Sequence, residues 1–251
     1  MNQALRSAFA RRSAALALVA VLTVLSTPVD GLAARSRAAA DAASASAPTA
    51  TASWSGRYDL YRKGVFSTQQ KITWCVAASI QMMLNIIKDT QDHSSTTQER
   101  YIRYARKHDQ FTDPTITGTD GQGWVAALNH YGKSTNYHIV SSKSYAGAIR
   151  SAVRRLRATG EPVGLVIEHH NHAWVMTGFE SSTDPAVDSS FKLTAVYIMG
   201  PLYPRKPSGG LDPPPDTRVT YHQMKSYLTK YVDADVAPNN PWEGTYVTIQ
   251  P

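Results

Sequence analysis

Partway along this chain the hydrophobic pattern changes period, and that change limits the fold more than any other feature. Up to about residue 132 the apolar residues recur at helical spacing. Val76, Ile80, Met83, Leu84 and Ile87 predict one amphipathic helix opening at Cys75. Thr96-Thr97-Gln98-Glu99 reads as a capping box ahead of Tyr101 to Ala105, and a short helix from Gly123 to Tyr131 ends at Gly132. After residue 137 the pattern becomes strand-like. Tyr137 to Val140 is followed by one more helix, marked by Tyr145, Ile149, Ala152, Val153 and Leu156 and closed by Gly160. Then come strand runs at Val163–Glu168, His172–Phe179 and Phe191–Met199, a Pro- and Gly-rich loop from Pro201 to Pro215, a helix from Tyr221 to Tyr231 and a last strand from Gly244 to Ile249. Helices first and antiparallel strands later, without βαβ alternation, predict an α+β fold.

The N-terminus is expected to be an export signal. Arg6, Arg11 and Arg12 precede the apolar run Ala14–Leu25, and Gly31 with Ala33 suits cleavage before Ala34. Residues 1–33 are therefore read as signal peptide, 34–55 as a disordered Ala/Ser-rich spacer or pro-segment, and 56–251 as one domain of a secreted, extracellular protein. The formal charge is +7; three Arg and Asp30 in the leader account for two of these charges, leaving +5. Much of the excess falls on Arg150, Arg154, Arg155 and Arg157, with no interleaved aromatics. It reads as a solvated helix face and not as a nucleic-acid site, and it is complementary to an acidic cell-wall surface. No second stretch is long enough to span a bilayer, so no stable membrane insertion is expected once the leader is removed.

Cys75 is the only cysteine, so it cannot form a disulfide within the chain. It stands at the first turn of a helix, where unpaired backbone N–H groups favour a thiolate. A cysteine nucleophile needs a base and oxyanion donors. Gln69, six residues upstream, and the Cys75 amide could supply the donors, with Gln70 as the alternative should the loop slip by one residue. His172, opening a strand, could supply the base. His170 and His172 would share a strand face as two metal ligands, but no third ligand is evident. No metal or other cofactor is expected.

These residues resemble a known family. Gln-x5-Cys at the head of an apolar helix, then Gly-Glu-Pro-Val, His-Ala-Trp-Val-Met-Thr-Gly-Phe and a strand ending in Pro, is similar to the papain-like cysteine peptidases. The nearest branch is that of the bacteriocin-leader peptidase domains and their secreted relatives. The resemblance implies a two-lobed fold, a Cys helix in one lobe, a His on a β-sheet in the other, and Cys75, His172 and Gln69 as nucleophile, base and oxyanion glutamine. It implies a bacterial thiol protease, acting as a monomer on a peptide or protein substrate. The family places Asp or Asn just before the Pro to orient the imidazole, and here that slot is Gly200. Glu168 or Asp188 could substitute. Two other classes remain open: a catalytically impaired module that binds peptide or cell wall, and a thiol amidase or acyltransferase.

Overall fold

The computed structural model describes residues 53–110, 118–132, 136–204, 212–232 and 239–251. The expected leader, the spacer as far as residue 52 and the middle of the Pro-rich loop lie outside the described residues. A compact unit runs from Thr51 to Pro251. Trp54 already belongs to it: its ring stacks on Phe179 at 5.8 Å and its indole N–H donates to the Ser181 carbonyl.

The chain order is β1 (Arg57–Asp59), α1 (Cys75–Ile87), α2 (Ser95–Arg106), α3 (Gly121–Gly132), β2 (His138–Ser142), α4 (Tyr145–Thr159), β3 (Val163–Ile167), β4 (His172–Ser181), β5 (Leu193–Met199), β6 (Thr217–Thr220), α5 (Tyr221–Tyr227) and β7 (Tyr246–Gln250). The strands form one antiparallel sheet in the order β2-β7-β3-β4-β5-β6, with β1 paired to β4. β7, the last strand in the chain, thus lies inside the sheet between β2 and β3. The expected α+β class holds.

Helices cover both faces of this sheet. Because alternate strand residues point to opposite sides, β4 divides its side chains between two cores. Ala173 and Val175 join the core built on α1, α2 and α3 with Ile80, Met83, Ile102, Trp124 and Leu128. Trp174 and Met176 join the core under α4, with Ile149, Val153 and Leu156. That is why β4 is buried along almost all of its length. Close approach of a layer to the sheet is visible at Gly164: a Cβ there would lie 2.6 Å from the Trp124 ring, so only glycine lets α3 pack at this distance.

Several element boundaries differ from the expectation. The cap of α2 is Ser94, whose side chain accepts from the Thr97 N–H, two residues before the anticipated Thr96. Helix α5 stops at Tyr227. Strand β3 ends at Ile167, because Glu168, His169 and His170 all adopt left-handed backbone angles, with φ of 51°, 57° and 79°. Such conformers cost non-glycine residues about 1–2 kcal/mol each. Here they are held by the segment after α5: the His169 N–H donates to Thr229 Oγ1 at 2.8 Å, and His170 stacks on Tyr231 at 4.6 Å. β1 and β6 were not anticipated; both are short.

Candidate active site

Cys75 is the first residue of α1 and is partly exposed. Trp74, the preceding residue, provides no side-chain cap, so the first-turn N–H groups have no side-chain cap partner and face the thiol end of the helix. A buried amide network fixes the approaching loop. Gln98 on α2 donates to Gln81 Oε1 at 2.8 Å and to the Thr68 carbonyl at 2.9 Å, and accepts from the Gln70 N–H at 2.9 Å. The Gln69 N–H donates to the Pro201 carbonyl at 2.8 Å, tying this loop to the end of β5.

His172 opens β4 and is buried. Its Nε2 lies 2.9 and 3.1 Å from the two carboxylate oxygens of Asp212. Asp212 also accepts from Trp174 Nε1 at 2.7 Å and from the Leu202 N–H at 2.6 Å. His172 and Trp174 are two apart on one strand and so share a face, which lets a single carboxylate reach both. A carboxylate only accepts hydrogen bonds, so Nε2 carries a proton towards Asp212 and Nδ1 is the nitrogen left for another partner. The second polar partner of the imidazole is the Cys75 thiol. Burial alone would lower the pKa of His172. The hydrogen bonds to Asp212 and Cys75 and their charges outweigh it and raise it to about 10.

Asp212 was not anticipated from the sequence, and its placement explains Gly200. A Cβ built on Gly200 would lie 2.4 Å from Asp212 Cγ and 2.7 Å from its Oδ2. The carboxylate therefore occupies the space that a side chain at residue 200 would fill. It arrives from the far end of the Pro-rich loop and not from β5. Three prolines, Pro213 to Pro215, connect it to β6 with restricted φ. A signal was available in the sequence: a Gly-Pro where a carboxylate is expected, followed within the same loop by an Asp beside a proline run.

The other named residues fall as follows. Glu168 is exposed in the left-handed turn, and its carbonyl accepts from the Asn171 side chain. Asp188 sits in the β4–β5 loop and accepts from Thr183 Oγ1 and Ser190. Neither is the carboxylate on His172. Gln69 is buried, and its amide nitrogen donates to the Lys71 carbonyl at 2.9 Å and the Ile72 carbonyl at 2.6 Å. Both of its N–H groups are thus engaged in bracing the turn before Trp74, while its Oε1 has no partner. Gln70 donates its backbone N–H to Gln98. His170 belongs to the turn, not to β4, so it does not share a strand face with His172. Among the described residues no three His, Cys, Asp or Glu side chains form a group that could hold a metal, and no helix is long and apolar enough to cross a membrane.

A buried imidazole between a thiol at a helix N-terminus and a carboxylate is an arrangement suited to acyl transfer through a thioester. A family model described as the Peptidase_C39 like family matches residues 62–209, a span that includes Gln69, Cys75, His172 and Gly200 and stops short of Asp212. No curated protein matches the sequence.

Proposed function

The chain belongs to the Peptidase_C39-like family of papain-like cysteine peptidases, and from that premise we propose that it is a secreted peptidase that hydrolyses peptide bonds through Cys75 and His172. The observation that carries this reading is the Cys75–His172–Asp212 line, with Nε2 on the carboxylate and Nδ1 left for the thiol.

In this reading Nδ1 already holds the proton of the Cys75 thiol, as an imidazole with a pKa of about 10 does at neutral pH, and the sulfur attacks the peptide carbonyl carbon. The carbonyl oxygen becomes an oxyanion, held by the first N–H groups of α1. Collapse breaks the C–N bond, and the imidazolium returns its proton to the leaving amine. Water, deprotonated by Nδ1, then attacks the thioester, releasing a carboxylic acid and restoring the thiol. Asp212 stabilises the imidazolium and fixes its ring orientation, as the acid of a triad does. Gln69 can contribute to the oxyanion site only by releasing one of its two carbonyl partners.

The test is cleavage of a degenerate peptide mixture by the full chain, read by mass spectrometry. Wild type should generate new N-termini, and Cys75→Ser should generate none while keeping its melting temperature within a few degrees. Cleavage by Cys75→Ser at the wild-type rate would remove the thiol mechanism. Export is tested separately, by an extracellular product beginning at Ala34. The engaged Gln69 amide favours one second reading, a papain-like module that binds peptide without cleaving it. Its mark would be alkylation of Cys75 no faster than that of a free cysteine peptide.

A further inference from the structure

The positive charge of this protein has two concentrations, and the fold treats them differently. On α4 three of the four arginines are engaged internally. Arg150 donates to the Ser189 carbonyl at 2.6 Å, Arg157 makes a two-point pair with Asp184, and Arg155 donates to the Pro251 carbonyl. On the outer face of α2 Arg103 pairs with Glu99, and the other cations are less engaged. Arg106 donates one N–H to the Gly118 carbonyl, and neither Arg106 nor Lys107 has a carboxylate within ion-pair distance among the described residues. Lys71, from the loop leading to the thiol, lies over the Trp74 ring at 4.6 Å.

These side chains surround a cavity of about 340 Å³. Its floor is apolar, made by the buried Trp74 and Ile102. Its rim carries Lys71, Arg103, Arg106 and Lys107 against a single carboxylate, Glu99, which Arg103 already pairs at 2.9 Å. The lining is therefore net +3: four cations and one anion. Trp74 is the residue directly before Cys75 in the chain, while Cys75 and His172 are not among the residues that line the cavity. Its volume lies at the lower end of ordinary ligand sites, about 300–1,000 Å³.

We propose that this cavity is a substrate subsite that takes the side chain of an acidic residue, Glu or Asp, of the peptide. The proposal rests on the peptidase reading above, with the subsite taking a side chain other than those at the reacting bond. The methylenes of a glutamate would lie on Trp74 and Ile102, and the carboxylate would meet the guanidinium and ammonium groups of the rim. A lysine or arginine at the same peptide position would meet only like charge, so the site discriminates by repulsion as well as attraction.

The experiment uses the full chain carrying Cys75→Ser, so that binding is read without turnover. Two pools of degenerate peptides, blocked at both ends and bearing an uncharged dye, differ only in a fixed Glu or Gln scanned through each position. Fluorescence anisotropy should give tighter binding for the Glu pool at one or two positions. Adding Lys71→Gln and Arg106→Gln together should cut that preference by about 4–25-fold, since each exposed charge contact is worth roughly 2–5-fold. The preference should also shrink as salt rises. Equal binding of the two pools, or a preference that survives both substitutions, overturns the subsite. So does inorganic polyphosphate that binds more tightly than the Glu pool and displaces it, which would make the α2 face a polyanion surface. Failure of wild-type protein to cleave a Glu pool that Cys75→Ser binds would instead refute the peptidase reading and leave the subsite standing.

Discussion

Adding one methyl group at Gly200 should uncouple His172 from its carboxylate. The alanine Cβ would lie 2.4 Å from Asp212 Cγ, whereas ordinary contact begins near 3.4 Å, so Asp212 must retreat by about 1 Å. If the retreat runs along the contact to His172, the 2.9 Å bond opens to about 3.9 Å, outside hydrogen-bond range. A hydrogen bond to a charged group contributes about 1.5–3 kcal/mol, and a 1 Å misplacement of catalytic groups costs on the order of 10²-fold in rate. Gly200→Ala should therefore slow peptide cleavage about 100-fold. It should also slow iodoacetamide labelling of Cys75 at neutral pH, which needs no knowledge of the substrate. The double variant Gly200→Ala/Asp212→Ala separates this route from general damage. If Gly200 acts only through Asp212, the double variant labels no more slowly than Asp212→Ala alone, within the roughly 0.5 kcal/mol expected of a closed cycle. Wild-type labelling in a folded Gly200→Ala protein, or full additivity in the double variant, would refute the steric argument.

Three further predictions follow from the same site. His172 has a folded pKa near 10, above its ordinary 6.5. The stability it contributes is thus fully present below pH 6.5 and is lost as the pH rises towards 10; melting temperatures should fall across that window, and less steeply in Asp212→Asn. Gln69→Ala distinguishes bracing from oxyanion binding, because alkylation builds no oxyanion: loss of both labelling and cleavage points to the turn, whereas loss of cleavage alone points to the oxyanion. Glu168→Gln should leave cleavage within about twofold of wild type, since this residue is exposed and Asp212 holds the imidazole; a drop of tenfold or more would return the orienting role to Glu168.

Periodicity made the start of α1 at Cys75 legible, but not its burial: the pattern reads as one apolar face, whereas every residue from Val76 to Asn85 is buried. His172 was likewise marked by the run it opens, because β4 must fill two cores at once. Asp212 was hidden for a physical reason. Its partners are 38 and 40 residues away, and the loop that carries it has neither a helical nor a strand period. Glu168 was misplaced because a run of β-type residues gives no warning of three left-handed ones; the contacts with Thr229 and Tyr231 that hold them come from another part of the chain. The bracing of Gln69 was equally invisible, since spacing locates a side chain on the chain but not the carbonyls it will meet.

The position of β7 bears on when the protein becomes competent. β2 joins the sheet through β7, which also pairs with β3. The β2 edge of the sheet therefore cannot join until β7 has been made, whereas β3, β4 and β5 can pair before it. A cysteine peptidase assembled in this way has a built-in delay: the strands that frame its histidine can form early, but the edge that extends them joins only once β7 is present.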